Sequence, residues 1–220
     1  LMLKLAVPAV AAQVINMLYN IVDRIYIGHI PEVGDIALTG VGVTFPIIML
    51  VSAFAAFAGQ GGAPLASIQL GAGNREKAEK ILGNSLTLLL IAAVALTVGF
   101  SVFKEPILYA FGASENTIGY AMDYIGIYLI GTIFVQLALG LNTFISAQGK
   151  ALVAMLSVLI GAVINIVLDP VFIFVFGMGV SGAALATILS QAVSAAWVLR
   201  FLFSAKSGIR IRRGNMKFEK

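Results

Sequence analysis

The sequence predicts an all-α, polytopic membrane protein, with six transmembrane helices packed as one bundle. Three observations carry that prediction. The 220 residues are 60% hydrophobic and only 11% charged, with a mean hydropathy of +1.02. A soluble domain carries roughly a quarter of its residues as charges, so this chain cannot cover itself with polar surface. Six apolar runs are each long enough to cross a bilayer, which takes about 20 residues of helix. Two of those runs contain an acid, Asp23 and Asp169. A carboxylate at the centre of a span costs about 2.5–3.5 kcal/mol even on lenient scales, so such a residue faces a protein interior or a watery cavity.

Taken in order, the spans fall at roughly 3–28, 38–70, 78–103, 117–146, 151–176 and 180–204. The second is long and contains Pro46, Pro64 and Gly59-Gln60-Gly61-Gly62, which predict a bend or a tilt. Short turns join the spans: Gly71-Ala72-Gly73-Asn74, Gln148-Gly149-Lys150 and Gly177-Met178-Gly179. Small residues abound, and Gly182, Ala183, Ala184 and Ala186 give the sixth span a face for close helix contact. Residues 1–204 thus read as one six-helix lobe, and 205–220 as a basic cytoplasmic tail or a linker between lobes. The chain opens on Leu1 and ends in charge, which suggests a piece of a longer protein.

Loop charge sets the orientation. Lys4, Arg75, Lys77, Lys80, Lys150, Arg200, Lys206, Arg210, Arg212, Arg213, Lys217 and Lys220 fall on one side; they are 12 of the 14 basic residues. The other side carries Glu32, Asp35, Glu105 and Glu115, with Lys104 as its loop cation. The positive-inside rule places both termini in the cytoplasm of a multi-pass plasma-membrane protein. The basic tail reads as a topology signal or an attraction to anionic lipid, not as a nucleic-acid site. Cysteine is absent and His29 is the single histidine, so thiolate and histidine-cluster metal sites are excluded.

Polar residues inside the spans fall on shared faces. Gln13, Asn16, Asn20 and Asp23 recur at 3, 4 and 3 residues and occupy roughly 80° of helical arc. Arg24 points about 100° away, where it snorkels or forms a structural ion pair. Asn165 and Asp169 lie one turn apart. Pro170 follows and frees the carbonyl of Ile166. An acid, an amide and a freed carbonyl suit a proton or a small hard cation. The sixth span carries Thr187, Ser190, Gln191 and Ser194 on one side, and the fourth offers Tyr128, Thr132 and Gln136 at four-residue spacing. Gln60, amid glycines, either lines a cavity or packs. Asp123 lies near the outer start of its span and reads as solvated. The candidate cavity set is Asn16, Asn20, Gln60, Tyr128, Gln136 and Gln191.

Several segments resemble the multidrug and toxic compound extrusion (MATE) transporters. The first span, AVPAVAAQVINMLYNIVDRIYIGHI, is similar to that family's first helix, with Pro8, Asp23 and Gly28 in place. LGAGNREKAEKI resembles its turn between helices 2 and 3, and FGASENTIGYAMDYIGI its entry to helix 4. AQGKALVAM and NIVLDPVFIF resemble the 4–5 turn and helix 5, and GMGVSGAALATILSQ helix 6. No single piece is specific; the set, in order and over nearly the whole chain, is. The resemblance implies a twelve-helix antiporter of two six-helix lobes, of which this chain is the amino-terminal one. It also implies a cation site at Asp23, Asn165, Asp169 and Thr187. Arg24, beside Asp23, departs from that pattern and competes for the carboxylate.

The expectation is therefore a transporter rather than an enzyme, with no cofactor beyond Na⁺ or H⁺ as coupling ion. It would export cationic or amphipathic drugs by alternating access, with the bilayer and a second lobe as partners. A flippase for a lipid-linked precursor is the alternative; only Arg24 lies near the membrane interior to hold its phosphate. An intramembrane aspartyl protease would need a Gly-x-Gly-Asp motif, which the chain lacks.

The orientation is open to direct measurement in this thiol-free chain. Single cysteines at 32 and 115 should react with an impermeant reagent on intact cells, and cysteines at 77 and 150 should not. The reverse pattern would invert the topology.

Overall fold

The computed structural model describes residues 2–212, with side chains from residue 6 onward. Lys4's side chain, and Arg213, Lys217 and Lys220 of the sequence-assigned tail, lie outside this description. The described chain is helical: α1 (Met2–Gly28), α2 (Gly34–Gly71), α3 (Arg75–Ala110), α4 (Ile118–Ile130), α5 (Thr132–Ala147), α6 (Ala151–Pro170) and α7 (Gly179–Phe203), with a π-helical turn, Val171–Val175, between α6 and α7. Five helices are long and apolar enough to cross a membrane, and the bent pair α4–α5 makes a sixth span.

α2 is the spine of the bundle. It packs along α5 and α3 and also meets α4 and α1. Its buried positions run Ala37, Gly40, Thr44, Ile47, Val51, Ala55, Ala58, Gly59, Gly62, Ala63 and Ala66, a stripe of mostly small residues at helical spacing. Between helices in lipid no hydrophobic force remains, so close backbone approach and packing supply the attraction. At Gly59 the approach to α5 is close: a Cβ there would lie 2.6 Å from the Gly140 carbonyl oxygen and 2.7 Å from Thr143 Oγ1 of α5. The prolines do not interrupt this helix. Pro46 and Pro64 sit inside 38 continuous residues.

The fourth span is where the sequence reading fails most. The run read as one helix over 117–146 is two, meeting at 59° at Gly131. Ile188 of α7 wedges into the joint; a Cβ on Gly131 would lie 2.6 Å from the Ile188 Cβ. The break frees backbone carbonyls, and Thr97 of α3 donates its hydroxyl to one of them, Leu129 O, at 2.9 Å. The fifth span is also not uniform. After Pro170 it widens into the π turn, a geometry that often marks functional segments. Gly182 of α7 packs on that turn, where a Cβ would meet the Phe172 carbonyl oxygen at 2.8 Å.

Two apolar cores result. One gathers Ala63, Leu82, Leu89, Leu141, Phe144 and Leu202 towards the basic end of the bundle. The other gathers Ile27, Ile47, Leu108, Tyr124, Ile125, Ile173 and Ala183 towards the opposite end. Between them lies a layer of buried polar side chains on α1, α6 and α7. α1 packs mainly on α6 and only lightly on α2 and α7. That arrangement leaves one side of the polar layer open.

Close packing at Gly59 predicts a clear asymmetry. Gly59→Ala should cost about 1–3 kcal/mol, read as a lowered Tm in detergent. Gly61→Ala, with nothing within 4 Å of its added carbon, should leave Tm unchanged or slightly raised. Equal losses at both positions would show that this contact does not hold the bundle.

Candidate functional site

Three helices build the polar layer. α1 contributes Asp23, α6 contributes Asn165 and Asp169, and α7 contributes Thr187; all four are buried, with Asn165 and Asp169 fully so. One turn of α6 brings Asn165 against Asp169, and its Nδ2 donates to Asp169 Oδ1 at 3.1 Å. The same amide reaches Thr187 Oγ1 at 3.5 Å. Asp23 faces Asp169 across the α1–α6 contact. Pro170, immediately after Asp169, begins the widened turn that ends the regular helix.

The hydrogen-bond account of this cluster does not close. Asp23 Oδ1, Asn165 Oδ1 and Asp169 Oδ2 are each buried and accept no hydrogen bond. A buried acceptor without a donor costs about 1–3 kcal/mol, more when it is charged. Two facing carboxylates add mutual repulsion. A proton shared by the pair, or a cation bound among the three oxygens and the Thr187 hydroxyl, removes both penalties. The donor set is all oxygen, which suits a hard cation. Among the described residues no group of three or more His, Asp or Glu gathers anywhere.

Arg24 does not pair with Asp23. Its side chain is exposed and its guanidinium lies over the Phe45 ring of α2, 5.2 Å from the centroid. A cation–π contact of this kind draws the guanidinium towards α2; its charge still acts on Asp23, but among the described residues no close ion pair closes off the carboxylate.

The cluster opens into a cavity of about 480 Å³. Asn16, Tyr19, Asn20, Asp23, Arg24, Phe45, Met49, Tyr124, Tyr128, Thr187 and Gln191 are among the residues that line it. Tyr124 and Tyr128 stack, with ring centroids 6.2 Å apart, and form an aromatic wall beside Thr187. A second, smaller cavity of about 220 Å³ shares Asn16, Tyr19 and Gln191 with the first and continues past Gln13, Asn142, Ser157, Ser190 and Ser194. Sequence reasoning missed Tyr19, Tyr124 and Asn142. Tyr124 stands one turn before Tyr128, and that spacing was the available signal.

Two residues assigned to the cavity are elsewhere. Gln136 is fully buried on α5 and donates from Nε2 to Val51 O of α2 at 2.8 Å. The break at Gly131 rotates it off the face of Tyr128, so the four-residue spacing does not operate. Gln60 is exposed and lines shallow crevices of α2 towards α3 and α5, with Asn84 and Ser67 among their walls. The small face of α2 is the one that packs, and it turns Gln60 outward. Asp123 is exposed, near the middle of α4.

Comparison with known proteins places this geometry. The MatE family model matches residues 8–171. The multidrug export protein MepA of Staphylococcus haemolyticus is 30% identical over 206 residues, covering 94% of this chain and 45% of that protein. A FAD transporter of Shewanella oneidensis is 28% identical over 180 residues, covering 80% of this chain and 39% of its own length. Among solved structures, an outward-facing multidrug resistance MATE family transporter of the MOP superfamily superposes with a TM-score of 0.91 at 29% identity, covering 99% of this chain and 48% of that one. The chain therefore spans about half the length of the proteins it matches, consistent with the amino-terminal lobe.

The reassignment of Gln136 has a measurable consequence. Gln136→Ala removes the bond to Val51 and leaves a hole between α2 and α5, at a cost of about 2 kcal/mol or more. Gln191→Ala, on the cavity wall, should change Tm far less. Similar melting of the two variants would return Gln136 to the cavity.

Proposed function

The chain belongs to the MatE family of membrane transporters, and from that premise we propose that it forms the amino-terminal lobe of a multidrug exporter driven by inward Na⁺ or H⁺. The observation that carries the reading is the set of three buried oxygens without donors, on Asp23, Asn165 and Asp169, beside an aromatic-walled cavity that Asp23 and Thr187 line. The full transporter would reside in the plasma membrane, with the basic end of this lobe in the cytoplasm.

The coupling follows from electrostatics. With the site empty, Asp23 and Asp169 repel each other across the contact between α1 and α6. Bound charge removes the repulsion and draws the two helices together. Thr187 joins the site through Asn165, so α7 responds as well. α1 and α7 also wall the cavity, through Asn16, Asn20, Asp23, Thr187 and Gln191, so the ion and the drug favour different arrangements of the same helices. Linkage makes that antagonism reciprocal: an ion that weakens drug binding is itself weakened by drug. Alternating exposure of the lobe then converts an inward ion gradient into outward drug movement.

Cationic or amphipathic compounds fit the wall chemistry of Tyr124, Tyr128, Phe45 and Met49. Aromatic faces attract cations, and methionine adapts to varied apolar shapes. An anionic dinucleotide or a lipid-linked phosphate would call for clustered cations, and Arg24 is the single Lys or Arg among the described lining residues.

Efflux by the full-length transporter at matched expression tests the proposal. Asp23→Asn and Asp169→Asn should each cut ion-driven efflux at least tenfold while leaving the protein folded. Asp123→Asn should stay within about twofold. Where Na⁺ is the ion, its binding should weaken as pH falls, because protons compete for the same carboxylates. Near-normal efflux by both Asp23→Asn and Asp169→Asn would end the shared-site reading.

A further inference from the structure

Outside the cavity, the least expected feature is a third buried acid. Glu79 lies in the second turn of α3 with its side chain 3% exposed, at the basic end of the bundle and away from Asp23 and Asp169. Both of its oxygens are used. Oε1 accepts from Arg75 Nε at 3.1 Å and from the backbone N–H of Arg210 at 3.3 Å. Oε2 pairs with Arg212 Nε at 2.7 Å. Two of these three partners belong to the segment that follows α7.

That segment is read from sequence as a tail or linker, yet its described part is fastened to the lobe. Gln148, at the end of α5, accepts at a single oxygen from Ser207 Oγ at 2.9 Å, Gly208 N at 2.7 Å and Ile209 N at 3.2 Å. Ile209 and Ile211 are buried in the apolar core with Leu82 and Leu202. Ile211 N donates to Leu202 O at 3.2 Å, so the chain folds back along α7. A slack connection would not bury two isoleucines or spend a buried carboxylate on its backbone.

We propose that residues 204–212 are a strap built into this lobe, and that Glu79 is the positioning residue that holds it during transport. The strap crosses the ends of α3, α5 and α7, so it locks those ends together. It also ties Arg210 and Arg212 to the start of α3. A rotation of the lobe then carries residues 204–212 with it rather than being taken up in them. Removing the Glu79 charge leaves Arg75 and Arg212 to repel each other and frees one end of the strap. The role in efflux rests on the export reading above; the attachment of the strap does not.

The experiment separates the two, using the full-length transporter. Hydrogen exchange of the amides of 208–211 is compared in wild type, Glu79→Gln and the milder surface variant Arg212→Gln. Exchange should rise at least tenfold in Glu79→Gln and by less in Arg212→Gln. Unchanged exchange in both would refute the strap. Drug efflux and cation binding are then measured on the same proteins. Efflux should fall several-fold in Glu79→Gln while cation affinity stays within twofold, and full efflux despite raised exchange would refute the transport role. Finally, Ser207→Cys with Gln148→Cys, bridged by a short bis-methanethiosulfonate reagent, should restore efflux in the Glu79→Gln background. Loss of efflux on bridging the same pair with Glu79 intact would show that the strap must release, and would overturn the proposal.

Discussion

The rest of this lobe is organised around the contact between two carboxyl groups inside a helix bundle. Asp23 on α1 and Asp169 on α6 face each other, and among the described residues the nearest cation, Arg24, acts on Asp23 only at a distance, with its guanidinium over Phe45. Charge of this kind is costly in a membrane interior, and here it is also repulsive. The arrangement persists only if something else supplies positive charge. An ion drawn from outside the protein meets that need, and its arrival and departure change the force between two helices. In the proposed function, the same feature that destabilises the empty lobe couples it to a gradient.

The surrounding fold allows that force to act. α1 is attached mainly to α6, so repulsion or attraction at Asp23 bears on one interface rather than on a rigid core. α2, by contrast, is locked to α5 through small residues whose backbones touch at Gly59 and Gly140. The π turn after Pro170 and the break at Gly131 put irregular backbone on both sides of the polar layer. Each irregularity is supported: Thr97 takes a carbonyl released at the break, and Gly182 admits the π turn against α7. At the basic end, Glu79 and Gln148 tie the last described residues to α3 and α5. A firm frame and one lightly held helix are what a gated cavity requires.

The sequence made much of this legible, for specific reasons. Asp23, Asn165 and Asp169 stood out because acid inside an apolar run is rare and because helical spacing put amides beside it. The six spans were legible from length and hydropathy alone. Gln136 was misread because its assignment assumed a straight helix; a single glycine in an apolar run does not announce a 59° bend, which depends on Ile188 from another helix. Gln60, read as either lining a cavity or packing, lines open crevices on the outer side of α2, because Gly59 and Gly62 pack on the other side. Glu79 carried no signal, since an acid in a helix's second turn among lysines reads as solvated charge. Its burial depends on a segment more than a hundred residues later folding back over it.

The most direct test of the central claim is an infrared titration of the buried carboxyl groups in the purified full-length protein, in wild type, Asp23→Asn and Asp169→Asn. The account predicts that the two carboxyls titrate as one coupled pair, so that removing either shifts the other's midpoint, and that a bound coupling cation alters both signals together. Two carboxyls that titrate independently, each unmoved by loss of the other, would contradict it.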